Sequence, residues 1–491
     1  MLFPMSRGAA SGIVLAVFGL AFAVRCLYAV DLAPAMYSRD QPGTRMAMRY
    51  DAAALRMLGG DGLLFPREAD PAKTGLLARP PGYAAFLRAV YAALGRSFFT
   101  AQLVQNALNS LTPVLILLLG ARLFGWGVAT AGGLLAALSP HLGYASNLLS
   151  PDALSALPLA GASLVLAGGS LETGPTARRA AAAGVLVGLS AWLRPNVVLM
   201  GPFMAAAVVL VARDRRAGLR PAILLAAAAG LTIAPITLRN YLIFRQFVPI
   251  SINGGLTLWQ GVADAGGERF GARTTDRRVA REEAGRYHRP EYAQWWAEPD
   301  GIWRDHDRYR RSMEVIRGRP FWYLGAMLRR MGAMVSYHSA EAPFVASTEG
   351  AGGATPDADE GEEAGEGDRM APLRTFERAA DSARPPRISD AAVLAPGRAL
   401  AFLRPALRGV QTVAAAVTLP LAILGFVGAV RRDPRAAAFV ATVPLYYLIF
   451  ESMFIYEWRV AAPMHGYVFL FAGLGAALLY GAARRRARPS A

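Results

Sequence analysis

Ten stretches of this chain are apolar enough to be read as membrane-crossing helices, and that repetition limits the fold more than any single motif. A spanning helix needs about 20 mostly apolar residues. The stretches are 9–30, 103–121, 126–143, 152–170, 180–193, 196–212, 221–238, 409–430, 436–453 and 463–482. Runs such as Ala226 to Gly230 suit helices that pack closely in lipid. The first stretch is long and is followed by no clean cleavage signal, "DLAPA" near Ala35 being the one weak match, so it reads as a span rather than a removed leader. The expected fold is an all-α, polytopic membrane protein with about ten transmembrane helices.

Composition supports this reading. Of 491 residues 54% are hydrophobic and 18% charged, yet the net charge is +17. Such hydrophobicity excludes disorder as the main state and argues against a soluble enzyme. The charge is explained by topology. With the N-terminus in the cytoplasm, the inside segments hold 15 basic residues and the three short outside loops hold two, Arg194 and Arg459. That asymmetry follows the positive-inside rule, and ten spans put both termini in the cytoplasm of a bacterial inner membrane. The charge therefore carries no implication of nucleic-acid binding. The single cysteine, Cys26, permits no intrachain disulfide and reads as packing.

Two long segments fall on the outer, periplasmic face: 31–102, and 239–408. The chain thus divides into a module of residues 1–238, an outer-face region of 239–408, and C-terminal helices over 409–491. In the first loop, Arg79-Pro80-Pro81-Gly82 breaks regular structure and opens an apolar stretch, Tyr83 to Leu94. It is too short to span and is expected to lie at the membrane surface. In the second, Pro320 to Met334 is amphipathic, and 340–395 is rich in Gly, Ala, Pro and acids, the composition of a solvated, disordered insert.

The candidate functional residues gather at the outer ends of the spans. Asp152 begins the fourth span in "LLSPDALSALPL"; Arg79, Arg194, Arg239 and Arg459 stand at the same face. Asp152 reads either as a first-turn acid facing the helix dipole or as a site carboxylate. Guanidinium groups next to lipid suit a phosphate, which they bind by charge-assisted, bidentate hydrogen bonds. Histidines such as His141 and His465 show no zinc spacing, and no metal site is predicted.

Four stretches then carry a family resemblance: "RYDAAALRMLGGDGLLFP" with "ARPPGYAAFLRAVYAALG", "LSPHLGYASNLLSPDAL", "LRNYLIFRQFVPISINGGLTLWQG" and "EWRVAAPMHGY". In order and spacing the chain resembles C-type-fold membrane glycosyltransferases, in the bacterial branch related to protein O-mannosyltransferases and the lipid A aminoarabinose transferase. The resemblance implies an inverting transferase that moves a sugar from a polyprenyl phosphate to a lipid, glycan or protein acceptor on the periplasmic face. It implies a first-loop acid as base, and basic side chains on the leaving phosphate. Arg79 matches the basic residue before the surface helix and Arg459 that of the last outer loop. Arg49, Tyr50 and Arg194 would line the same cavity.

The family acid stands about four residues before the tyrosine matched by Tyr50, and that position here is Met46. Asp40, Asp51 or Asp152 could supply the carboxylate; Asp51 with Asp152 is the preferred pair, although on a helix Asp51 lies about 140° around from Met46. For Arg239, Gly254 and Gly255 a structural role is at least as good a reading. The missing acid also admits a non-catalytic relative that binds lipid-linked sugar or supports envelope glycan assembly. A secondary transporter fits less well, because no internal repeat is visible and the acids sit at the outer mouth rather than at mid-bilayer.

Overall fold

The computed structural model describes residues 6–336 and 398–486, apart from 38–44 and the single positions 68, 170, 173 and 458. The acidic segment 340–395 and Asp40 lie outside the described residues. Those that are described form helices joined by loops, and no strand is found among them.

Each of the ten apolar stretches becomes helix. The first half comprises α1 (Arg7–Tyr37), α2 (Arg45–Leu58), α3 (Gly82–Leu94), α4 (Phe98–Leu123), α5 (Trp126–Leu138), α6 (Pro140–Ala145), α7 (Pro151–Leu154), α8 (Ala156–Ala167), α9 (Ala177–Leu193), α10 (Met200–Val211) and α11 (Arg215–Phe244). The outer-face region adds α12 (Asn253–Val262), α13 (Asp276–Tyr287), α14 (Gly301–Gly318) and α15 (Pro320–Ser336). The chain closes with α16 (Arg398–Arg432), α17 (Pro434–Tyr446) and α18 (Ala462–Arg486). Among the described residues, five helices are long and apolar enough by themselves to cross a membrane: Arg7–Val30, Phe98–Leu123, Arg215–Phe244, Pro405–Arg432 and Ala462–Arg485. The other apolar stretches are shorter helices or broken ones. The stretch 126–143, for example, is interrupted at Ser139-Pro140.

Local chemistry sets these boundaries. Ser97 and Thr176 cap α4 and α9 by accepting the Thr100 and Arg179 backbone N–H groups at 3.2 and 3.4 Å, as N-cap side chains do. Proline supplies the first residue of α6, α7 and α17, where its missing N–H costs nothing. Pro195 ends α9, and the residue before it, Arg194, is extended at φ −136°, ψ 123°, as a pre-proline residue should be. That turn carries the Arg194 side chain away from the helix.

The bundle core joins α4, α8, α9, α10, α11, α17 and α18 through residues such as Ile116, Leu159, Val187, Leu225, Val440 and Leu470. Helices α16 and α18 approach so closely that a Cβ at Gly425 or Gly475 would collide with the carbonyl oxygen of Phe471 or Leu421. Small residues at a helix crossing permit this approach in lipid. The outer-face helices form a second core around Trp259, Val262, Val279, Trp296 and Tyr323.

Candidate active site

The loop that presents Asp152 is held by a buried row of carboxamides on α4. Gln102, Gln105 and Asn106 lie at i, i+3 and i+4 and so share one helix face. Gln102 Nε2 donates to the Asn147 carbonyl at 2.7 Å. Gln105 Nε2 donates to the Ser146 and Leu148 carbonyls at 2.7 and 2.8 Å, and its oxygen accepts the Tyr83 hydroxyl at 2.6 Å. Asn106 Nδ2 reaches Asn147 Oδ1 at 2.8 Å. An irregular segment inside a bundle must have its backbone groups satisfied by such side chains. Three amides on one face of an apolar helix were the sequence signal for this support, and sequence reasoning passed over them.

Asp152 itself is 1% exposed. Its carboxylate accepts the Ser150 hydroxyl at 2.8 Å, meets Arg194 Nη1 at 2.7 Å and has Arg459 Nε at 3.7 Å. Asp152 does lie in the first turn of α7, and its carboxylate is also met by side chains from the end of α9 and from the loop before α18. Glu457 takes the Arg459 guanidinium at 2.6–2.7 Å. Burial opposes the charge on Arg459, but Glu457 and Asp152 overcome it and raise its pKa above the ordinary arginine value. The Arg79 charge also reaches Asp152.

Arg79 stands with its guanidinium 5.4 Å from the Tyr50 ring centroid, a cation–π distance. Tyr50 is 3% exposed and packs edge-on against Tyr83 at 4.9 Å. Burial raises the Tyr50 pKa despite the nearby Arg79 and Arg194 charges, with Asp152 adding to the rise, so the phenol remains a proton donor. Arg79 Nε is buried without a hydrogen-bond partner. An unsatisfied buried donor costs about 1–3 kcal/mol, a cost that an arriving acceptor would relieve.

The structure thus brings Asp152, Arg194, Arg459, Arg79 and Tyr50 together. Arg49 is more peripheral, exposed and 3.9 Å from the Trp295 ring centroid. Asp51 is not brought to Asp152. Its carboxylate accepts the Tyr91 hydroxyl at 2.8 Å and forms a two-point pair with Arg96 at 2.8 and 3.2 Å, which ties α2 to the α3–α4 corner. Arg239 is buried and bonds Asn240 Oδ1, while the Asn240 amide holds the Val248 and Ile250 carbonyls, a structural role. Gly254 and Gly255 face Tyr309 and Asp305 of α14. His141 and His465 meet edge to face at 4.1 Å, and no group of metal-ligating side chains is found among the described residues.

Sequence reasoning did not single out Asp276, at the start of α13. Its Oδ1 accepts the Gln260 amide at 2.9 Å, and its charge senses Arg79, Arg49 and Glu457. It is accessible to solvent yet crowded enough that burial raises its pKa, against the Gln260 bond and the two arginines. Nothing in the spacing of "RTTDRRVA" links it to residues 79 or 457.

Residues 78–238 match the family described as dolichyl-phosphate-mannose-protein mannosyltransferase. The fold is similar to that of the oligosaccharyltransferase of Archaeoglobus fulgidus, solved with zinc and sulfate, at TM-score 0.50 and 11% identity. That match covers 96% of this chain and 50% of the other, so the chain spans about half the length of the archaeal protein. ArnT from Cupriavidus metallidurans aligns over 95% of this chain and 78% of its own at TM-score 0.37 and 15% identity. No curated protein matches the chain. The resemblance to C-type-fold membrane glycosyltransferases related to protein O-mannosyltransferases is borne out by the family match and the shared fold.

Proposed function

We propose that the protein is an inverting glycosyltransferase of the bacterial inner membrane. It takes a sugar from a polyprenyl-phosphate donor and passes it to a lipid, glycan or protein acceptor on the periplasmic face. The observation that carries this reading is the convergence of Arg79, Arg194 and Arg459 around buried Asp152, with Arg79 Nε left without a partner. Arginines fixed in this way stabilise the charge that grows on a departing phosphate. Asp152 acts through them: held by Arg194 and Ser150, it positions the guanidinium groups. Tyr50 stacks on Arg79 and keeps it aimed at the phosphate. The family match over 78–238 includes Arg79, Asp152 and Arg194, and that family is described by a dolichyl-phosphate-mannose donor.

The test is mass spectrometry of envelope lipids and glycans with and without the gene. Loss of one sugar, with build-up of its polyprenyl-phosphate donor, is expected. An unchanged envelope refutes the reading and would favour a scaffold without catalysis.

A further inference from the structure

We propose that α15 is seated on the bilayer, with one apolar face in the outer leaflet and flanking arginines on anionic lipid headgroups. This goes beyond the sugar chemistry and rests only on the membrane-spanning reading of the bundle. The helix has 17 residues and carries Arg329 and Arg330, so it is too short and too charged to cross a membrane.

Its side chains divide between two opposite faces, as 100° per residue dictates. Tyr323, Ala326, Arg330 and Met334 are buried against the protein. On the far side stand Phe321, Leu324 and Leu328, exposed 85%, 46% and 58%. Their spacing places all three on one stripe, and the described residues leave that stripe uncovered. Phe321 is more exposed than Leu231 of the spanning helix α11, at 73%.

The buried face fixes the depth of the helix. Arg330 Nη1 donates to the Ser452 carbonyl at 3.0 Å, and its Nε pairs with Asp264 at 2.8 Å. The Tyr323 hydroxyl donates to the Met453 carbonyl at 2.6 Å. The Tyr456 hydroxyl donates to the Ala333 carbonyl at 3.3 Å, and His465 Nε2 to the Met334 carbonyl at 3.0 Å. Ser452, Met453 and Tyr456 lie between α17 and α18, and His465 is in the first turn of α18. Met334 packs in the bundle core, whereas Tyr323 and Ala326 pack in the outer-face core. The helix is thus fastened where α18, long and apolar enough to cross a membrane, begins. That level is the headgroup boundary, where an amphipathic helix lays its apolar face into lipid.

Charge fits the same partner. Arg317 and Arg319 precede the helix and Arg329 follows Leu328, and all three are exposed. Glu314, the exposed acid nearest in sequence, is paired with Arg310 at 2.9 Å. Arginines beside an apolar stripe suit anionic phospholipids. By its opposite face α15 grips the segment that leads to Glu457 and Arg459, so the lipid seat and the Arg459 loop share one mount.

The experiment places an NBD fluorophore on Phe321→Cys, Leu328→Cys or the control Glu314→Cys. Each is made in the full-length Cys26→Ser protein, in nanodiscs of phosphatidylcholine and phosphatidylglycerol. Lipids bearing a nitroxide near the headgroup end of the acyl chain should quench the labels at 321 and 328 roughly twofold or more, as a label within the headgroup–acyl boundary requires. The label at 314 should keep its emission. At Leu328→Cys, nitroxide phosphatidylglycerol should quench more than nitroxide phosphatidylcholine, and Arg317→Gln, Arg319→Gln and Arg329→Gln together should equalise the two. Unquenched, water-like emission at 321 and 328 overturns the proposal. Unquenched but blue-shifted emission there means that protein covers the stripe, and also overturns it. Equal quenching by the two headgroups before the arginines are changed overturns the headgroup assignment. No readout depends on sugar transfer, so failure here leaves the glycosyltransferase reading untouched.

Discussion

Glu283→Gln should loosen the outer-face region by a measurable and specific amount. Glu283 is 1% exposed and lies between two arginines of α14, Arg304 and Arg308, exposed 1% and 0%. Arg304 Nε donates to Oε2 at 2.8 Å, and Arg308 donates to both oxygens at 2.6 and 2.7 Å. The remaining Arg304 donors hold the carbonyls of Trp295, Glu298 and Tyr292 at 2.8–3.1 Å. The glutamate is therefore the counter-charge of a pair of cations that fasten the 292–299 loop. Removing one member of a buried ion pair costs about 3–5 kcal/mol, because the partner stays buried and uncompensated. At about 1.4 kcal/mol per tenfold, amide hydrogen exchange in α13 and α14 should accelerate by roughly two to three and a half orders of magnitude. Exchange in α4 and α18 should stay as in wild type, since local opening energies differ across a structure. An acceleration in α13 and α14 below tenfold would refute the claim that Glu283 compensates both arginines.

Other outcomes follow from the same geometry. Arg79→Ala should weaken undecaprenyl phosphate binding by about 10- to 150-fold, the loss of about 1.5–3 kcal/mol for a charge-assisted hydrogen bond, read by titration in detergent micelles. Asp305, 5% exposed, has its pKa raised to about 7 by burial, in spite of Arg308 and the backbone N–H groups of Leu256 and Gly255. Its protonation therefore favours the folded state below pH 4 and that gain is lost as the pH rises through 7. Asp305→Asn should raise the unfolding temperature at pH 8 and leave it nearly unchanged at pH 4. The Asp51–Arg96 pair predicts a coupling energy above about 1 kcal/mol in an Asp51→Asn, Arg96→Met double-mutant cycle followed by thermal unfolding. Gly425→Ala should destabilise the α16–α18 crossing by about 1–3 kcal/mol, as overpacking does, in the same assay.

The helices were legible in the sequence because hydropathy marks the apolar stretches, and the arginine asymmetry led to the expectation that Asp152, Arg194 and Arg459 share one face. Groups fixed to the same face, next to prolines that stop helices, have few places to go. The partner of Asp51 was not legible. Arg96 sits after the α3 turn, and whether it faces α2 depends on how that corner closes. The setting of Asp276 was hidden for a similar reason: α13 is placed by the docking of the outer-face core, where Trp259 and Val279 pack together. Periodicity describes a helix but not the surface on which it docks. The amides of α4 were visible as polar residues in an apolar span, but their targets are backbone carbonyls of a loop, which no side-chain pattern announces.

The Asp152 pairing joins residues from distant parts of the chain. Asp152 and Arg194 enter the membrane early in synthesis, whereas Arg459 arrives with the loop that precedes the last helix. Until α18 inserts, the nascent bundle carries the carboxylate with a single guanidinium partner, and Glu457 and Arg459 are absent from the mouth. The second guanidinium near Asp152 thus comes from the C-terminal part of the chain, together with its own counter-charge Glu457. A chain stalled before α18 would leave Asp152 with Arg194 and Ser150 and lack the Arg459–Glu457 pair at the mouth.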